Sequence, residues 1–271
     1  MCGRYAASRK PEDLADLFEV RQWDPTETIA PDWNVAPTKD VYAVLDRPVR
    51  DSGSTEPVRQ LRVLRWGLVP SWAKTPEGGA RLINARAETA LEKPSFRRAL
   101  TARRCLIPAD GYYEWMTAAE ERKLEEQGRR KRTRKQPYFV TPADGSVMAM
   151  AGLYEFWRDP TLPDDHPRAW WVTCSVLTTA AETGALAGYE GHGPRSLADI
   201  HPRMPLMMTP DRWDTWLTPA TTHPDALQEL LGAPPEGLMR AFPVGTAVSS
   251  VQNNGPELVE PLPAPEEETL F

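Results

Sequence analysis

The sequence predicts an α+β fold: a mostly antiparallel β core carrying a few short helices at its periphery. Three observations lead there. Short runs rich in β-branched and aromatic residues follow one another through the middle of the chain. The candidate helices are brief and never alternate with strands in the rhythm of a Rossmann or TIM fold. The 28 prolines among 271 residues favour turns and extended segments over a helix bundle.

The elements follow in order. Ser8 to Val20 reads as a helix, with Pro11 at an early position, Glu12 and Asp13 near its positive end, and Leu14, Leu17 and Phe18 on one face. The stretch APDWNVAPTKD is turn-rich, and VYAVL after it is strand-like. Gln60 to Trp66 alternates as a strand does, and PSFRRALTARR reads as a helix with Ser95 as its cap. CLIP, GYYEW, PYFV, VMAMAGLYEFW and RAWWVTCSVLTT are β-type runs in which Trp157, Trp170 and Trp171 are expected to pack inward. Thr209-Pro210 opens a small helix carrying Trp213, Trp216 and Leu217, and HPDALQELLG is another, closed by Gly232. One domain is expected over residues 1–255. Within it, the charged segment 117–135 reads as an insertion, and the acidic, proline-spaced residues 256–271 read as a disordered tail.

Composition narrows the function classes. No run approaches the roughly 18 apolar residues of a membrane span, and the opening MCGRYAASRKPEDL lacks the apolar stretch of a secretory signal. Cys2, Cys105 and Cys174 are odd in number and scattered, which fits a reducing cytoplasm better than a disulfide framework. Their spacing gives no zinc motif, so neither metal nor cofactor is expected. The net charge of −6 hides an asymmetry: Arg81 to Lys135 holds 15 Lys/Arg against 8 Asp/Glu, leaving −13 elsewhere. A basic middle permits an anionic ligand on an acidic protein.

Cys2 is the unusual residue. Trimming of Met1, favoured when the second side chain is small, would leave a cysteine bearing both a free thiol and a free α-amine. Their ordinary pKa values, about 8.5 and about 7.7–8.0, make both partly available near neutral pH. An amine forms a Schiff base with a carbonyl. The thiol two carbons away then closes on the imine carbon as a five-membered thiazolidine, so the natural target is an aldehyde. Position 2 unselected and the thiol inert is the alternative.

Further motifs follow in order: MCGRY, NVAPT (34–38), WGLVPSWAK (66–74), INARAET (83–89), RCLIPADGYYEW (104–115), AGLYEFW (151–157) and HPRMP (201–205). Together they resemble the SRAP family (SOS-response-associated peptidases), abasic-site processing proteins of single-stranded DNA, over residues 2 to 260. The resemblance implies a barrel-like β core and a covalent, reversible thiazolidine between the N-terminal cysteine and the ring-opened aldehyde of an abasic deoxyribose, in a DNA-damage response.

Carried over to matching positions, it makes Cys2 the crosslinking nucleophile and Asn84 a positioning group for the sugar or amine. Glu114 becomes the proton handler, and His201 the general acid that promotes ring opening. Arg4, Arg86 and Arg203 become phosphate contacts, with Lys74 as a weaker backbone candidate; Trp72 with Pro37 would insert and stack beside the lesion. Read without the family, Glu114 could lie on a sheet's solvent face, Asn84 could cap a turn, and the other histidines, His166, His192 and His223, are surface imidazoles.

The Schiff base would also acidify the C2′ proton, making β-elimination accessible as a lyase side activity. Two rival readings stand beside this one: an N-terminal-nucleophile hydrolase, and a plain single-strand binding module with strong salt dependence. A monomer is expected. The terminal Leu270 and Phe271 resemble short peptides that fill the pocket of a bacterial sliding clamp, which would place the protein at replication forks.

Overall fold

The computed structural model describes residues 2–49, 53–116, 135–167, 169–189, 193–232 and 234–263. The expected insertion (apart from Lys135), His192, and the clamp candidates Leu270 and Phe271 lie outside the described residues. No helix among the described residues is long and apolar enough to cross a membrane.

The strands are β1 (Tyr5–Ala7), β2 (Asp32–Val35), β3 (Asp40–Pro48), β4 (Pro57–Trp66), β5 (Asn84–Arg86) and β6 (Arg104–Ala109). There follow β7 (Gly111–Met116), β8 (Gln136–Pro142), β9 (Met148–Arg158), β10 (Trp170–Ala180), β11 (Arg203–Pro205) and β12 (Met239–Pro243). The helices are α1 (Pro11–Leu17), α2 (Pro94–Ala102), α3 (Leu197–Ile200), α4 (Trp213–Leu217) and α5 (Pro224–Leu230). The fold is the expected α+β type.

One sheet runs β12-β8-β7-β1-β2, with every neighbouring pair antiparallel. The second runs β11-β10-β4-β3-β6-β9, and pairing of β9 with β10 closes five of its strands into a barrel. Most of its pairs are antiparallel; β10 meets β4 and β5 in parallel.

The barrel strands are apolar on both faces, which is why VYAVL reads as an unbroken run. On β3, Val41, Ala43 and Leu45 enter the cluster shared with Tyr5, Tyr112, Tyr138 and Val140 of the other sheet. Tyr42 and Val44 point the opposite way, under Leu14 of α1, Phe96 and Leu100 of α2 and Trp216 of α4. Burial of these side chains stabilises the fold by about 1.5–3 kcal/mol each. Arg104, 2% exposed, fastens the helices on this side: its guanidinium donates to the carbonyls of Leu100 and Thr101 at the end of α2 (2.7 and 3.1 Å) and of Trp216 in α4 (2.7 Å). Desolvation draws its pKa down to about 10.

The sequence reading needs correction at several edges. α2 starts with Pro94 in its first turn and Lys93 at the cap position, so Ser95 is not the cap. α1 is shorter than 8–20, whereas α5 ends at Leu230 with Leu231 as its C-cap and the expected Gly232 directly after it, its N–H on the Glu229 carbonyl at 3.1 Å. Trp157 is buried as expected, but Trp170 is 55% exposed where β10 begins. Residues 256–262 begin ordered: Pro256–Val259 forms a 3₁₀ turn that buries Leu258 against Tyr113 and Phe139, and Val244 bridges to Pro261.

Asn34 joins this C-terminal layer to β2. It is fully buried, its Nδ2 lies 2.8–3.3 Å from the carbonyls of Val248, Ser250 and Asn253, and its Oδ1 accepts from Arg4 at 2.7 Å. Asn34→Ala strands these groups together, and is expected to lower the free energy of unfolding by roughly 2–3 kcal/mol in a urea titration.

Candidate active site

Cys2 precedes β1 and is completely buried in the cluster between the two sheets. Its backbone is held from the opposite sheet: Asn84 Nδ2 donates to the Cys2 carbonyl at 2.7 Å. Asn84 opens β5, which runs parallel to β10 with Asn84 opposite Val176. Trp66 sets the position of that strand, donating its indole N–H to the carbonyl of Ile83 at 2.9 Å while stacking edge-on against Tyr5 at 5.1 Å. The other amide atom of Asn84, Oδ1, is buried and has no hydrogen-bond partner among the described residues. It is an acceptor beside Cys2.

Glu114 arrives from the first sheet. Strand alternation sends Tyr113 and Trp115 to the outer face of β7, where they pack with Phe139 and Val248, and turns Tyr112 and Glu114 inward. Glu114 is 6% exposed, so it is an interior carboxylate rather than a solvent-facing one. Burial pushes its pKa up, against the pull of the positive amino terminus and of His201.

His201 follows α3, a single turn that buries Leu197 and Ile200 in the same cluster. The turn is closed by a local capping box in which Asp199 accepts from the Ser196 backbone at 2.9 Å. His201 Nδ1 lies 3.8 Å from Glu114 Oε1 and 3.0 Å from both the N–H and the C=O of Arg203. A ring nitrogen facing a donor and an acceptor is accommodated in either protonation state. The residue suits giving and taking a proton.

Burial, then the nearby Glu114 carboxylate, push the Cys2 thiol far above its ordinary range. This departs from the expectation of a partly ionised thiol near neutral pH. Burial holds the sulfur as a neutral S–H.

The remaining residues divide. Arg4 is spent internally: its Nη1 donates to Asn34 and to the Val248 carbonyl (2.9 Å), and its guanidinium lies over Trp115 at 5.8 Å. Arg203 is clasped by Glu88, at 2.5 and 2.9 Å, and by Thr178 of β10. Those charge-assisted bonds hold Glu88 below the usual carboxylate range. Lys74 and Arg86 are exposed. Trp72 is 65% exposed on a turn made rigid from below, with Ala73 N–H bonded to Pro70 at 2.9 Å and the Trp157 indole N–H to the Ala73 carbonyl at 2.7 Å. Pro37 is half-buried in the turn Ala36–Lys39.

Glu88 was not singled out from sequence, yet its pair with Arg203 ties the segment after β5 to the one after His201. Its place within INARAET was the available signal. The site therefore draws Cys2 and Glu114 from one sheet, and Asn84 and His201 from the other.

Comparison with known proteins agrees with this architecture. The chain is 35% identical over 260 residues to the abasic site processing protein YoqW of Bacillus subtilis, covering 96% of this chain and 99% of that one. It is 29% identical to the abasic site processing protein YedK of Escherichia coli, with 97% and 100% covered. To the abasic site processing protein HMCES of Xenopus tropicalis it is 27% identical, with 95% and 77% covered. A crystal structure of a Bacteroides thetaiotaomicron protein, 24% identical, superposes with a TM-score of 0.72 over 96% of this chain and all of that one, and so shares the fold. The family model described as SOS response associated peptidase (SRAP) matches residues 1–251, and the chain belongs to that family.

Proposed function

We propose that the protein processes abasic sites in single-stranded DNA by bonding covalently to them through Cys2, once Met1 has been removed. The observation that carries this reading is the meeting of Cys2 with Asn84, Glu114 and His201 at the seam between two sheets. The relatives named for abasic-site processing support the choice of substrate.

The chemistry runs in three steps. His201 supplies a proton to the ring oxygen of the abasic deoxyribose as the C1′–O4′ bond opens, while the C1′ hydroxyl gives up its proton to solvent, leaving an aldehyde at C1′. The α-amine of Cys2 adds to C1′, and one water departs as the imine forms. The neutral thiol then adds across the C=N bond: sulfur bonds to C1′ and the thiol proton ends on nitrogen, closing a thiazolidine. Glu114 takes the proton that the amine sheds on attack and relays the one leaving sulfur. Asn84 fixes the Cys2 carbonyl and offers Oδ1 to a sugar hydroxyl. Before thiol closure the imine acidifies C2′–H, so strand cleavage by β-elimination competes with crosslinking.

Strand binding falls to the exposed Lys74 and Arg86 as phosphate contacts and to Trp72 as a stacking surface. Arg4 and Arg203, engaged inside the protein, act by holding the Cys2 arm and the His201 segment in place.

Three measurements test the reading. On a denaturing gel with abasic single-stranded oligonucleotide, the wild type gives an adduct that survives without reductant. Cys2→Ser keeps the amine and gives only an imine that borohydride must trap; an equally stable Cys2→Ser adduct contradicts the mechanism. The crosslinking rate should fall as pH drops through the raised pKa of Glu114, above the ordinary value of about 4.3, because the carboxyl must be ionised to accept a proton. Glu114→Gln should lose that limb and about a hundredfold in rate. Lys74→Ala and Arg86→Ala should each weaken binding and reduce the slope of log affinity against log salt by about 0.7.

A further inference from the structure

Among the described residues only Glu19 and Thr38 combine a side chain with a positive φ, +54° and +74°. Glu19 follows the end of α1, where a left-handed residue commonly terminates a helix. Thr38 is different. It is the third residue of the turn Ala36–Lys39, closed by the Lys39 N–H on the Ala36 carbonyl at 3.3 Å. With proline before it and a positive φ, this is a position that glycine ordinarily fills. A β-branched residue there sets Cβ against its own backbone and costs stability.

The fold does not require that side chain. The bond anchoring the turn runs from the Thr38 backbone N–H to the Trp66 carbonyl at 2.8 Å, and glycine would make it equally well. Thr38 is exposed, and its hydroxyl takes no partner among the described residues. Strain kept without a structural return points to use of the side chain itself.

Its location says what it meets. Trp66, whose carbonyl holds the Thr38 N–H, donates its indole N–H to Ile83, and the next residue, Asn84, grips the Cys2 carbonyl. The bond to Trp66 ties the turn to the start of the segment that presents Trp72. Thr38 is thus joined through Trp66 to the residues that hold Cys2 and to the Trp72 segment, and offers an exposed hydroxyl donor.

We propose that Thr38 is a DNA-binding residue whose hydroxyl donates to a backbone phosphate oxygen of the strand next to the lesion, an inference that rests on the single-stranded-DNA reading above. Such a contact positions the strand without reading its sequence.

The test measures melting temperature and affinity for an intact single-stranded oligonucleotide at fixed salt, for wild type, Thr38→Gly, Thr38→Ser and Thr38→Val. Thr38→Gly should melt at or above the wild type yet bind about tenfold more weakly, the loss expected for one hydrogen bond to a charged group. Thr38→Ser should retain wild-type affinity, and Thr38→Val, equally branched but without the hydroxyl, should lose as much as glycine. Wild-type affinity in Thr38→Gly or Thr38→Val overturns the contact while leaving the function reading intact. A Thr38→Gly protein melting well below the wild type also overturns it, since the side chain would then serve the fold. A wild type without affinity for the strand overturns both readings.

Discussion

The hydrogen bond from Asn84 to the Cys2 carbonyl, 2.7 Å across the seam between the sheets, is the constraint on which the site depends. Chain termini fray unless something ties them down. Here the tie comes from the opposite sheet, and its donor is itself positioned by Trp66 through Ile83. Arg4, two residues further on, adds a second anchor by joining Asn34 and Val248. A residue at the very start of the chain thereby acquires the fixed geometry usually reserved for a strand interior.

That fixed position also bears on the order of the proposed chemistry. The thiol lies in an apolar cluster beside a carboxylate, and both suppress its ionisation. Glu114 feels the opposing effects of burial and of positive charge, and burial prevails. In the proposed reaction, a carboxylate poised above the ordinary range next to a neutral thiol favours attack by the amine, with sulfur closing afterwards. His201, with its ring nitrogen between a backbone donor and acceptor, tolerates the change of charge that ring opening demands. The proposed reaction thus needs no ionised thiol and no large rearrangement of charged groups.

Much of the fold was legible because the long barrel strands are apolar on both faces: VYAVL, VMAMAGLYEFW and RAWWVTCSVLTT are strands where the sequence places them. The short ones were not. β2 hides within APDWNVAPTKD, whose turn residues outweigh its four-residue strand, and β5 and β11, three residues each, exist through their pairing with β10. The residues of the site could be named from ordered motifs, but their environments could not. Glu114 sits between aromatic neighbours that say nothing of which face it takes, and only the packing of β7 against the other sheet turns it inward. Arg4 and Arg203 read as free cations because their partners, Asn34, Val248 and Glu88, lie 30, 244 and 115 positions away. Long-range partners of this kind leave no local trace in a sequence.

The central claim is that one carbon of the abasic sugar becomes bonded to both nucleophiles of a single terminal residue. Peptide mapping by mass spectrometry, after reaction with abasic single-stranded DNA and nuclease digestion, tests it most directly. The account predicts an N-terminal peptide that lacks Met1, carries the deoxyribose remnant less one water, and contains no free thiol at Cys2. A remnant on a lysine side chain, or on a peptide that still begins with Met1, would contradict it.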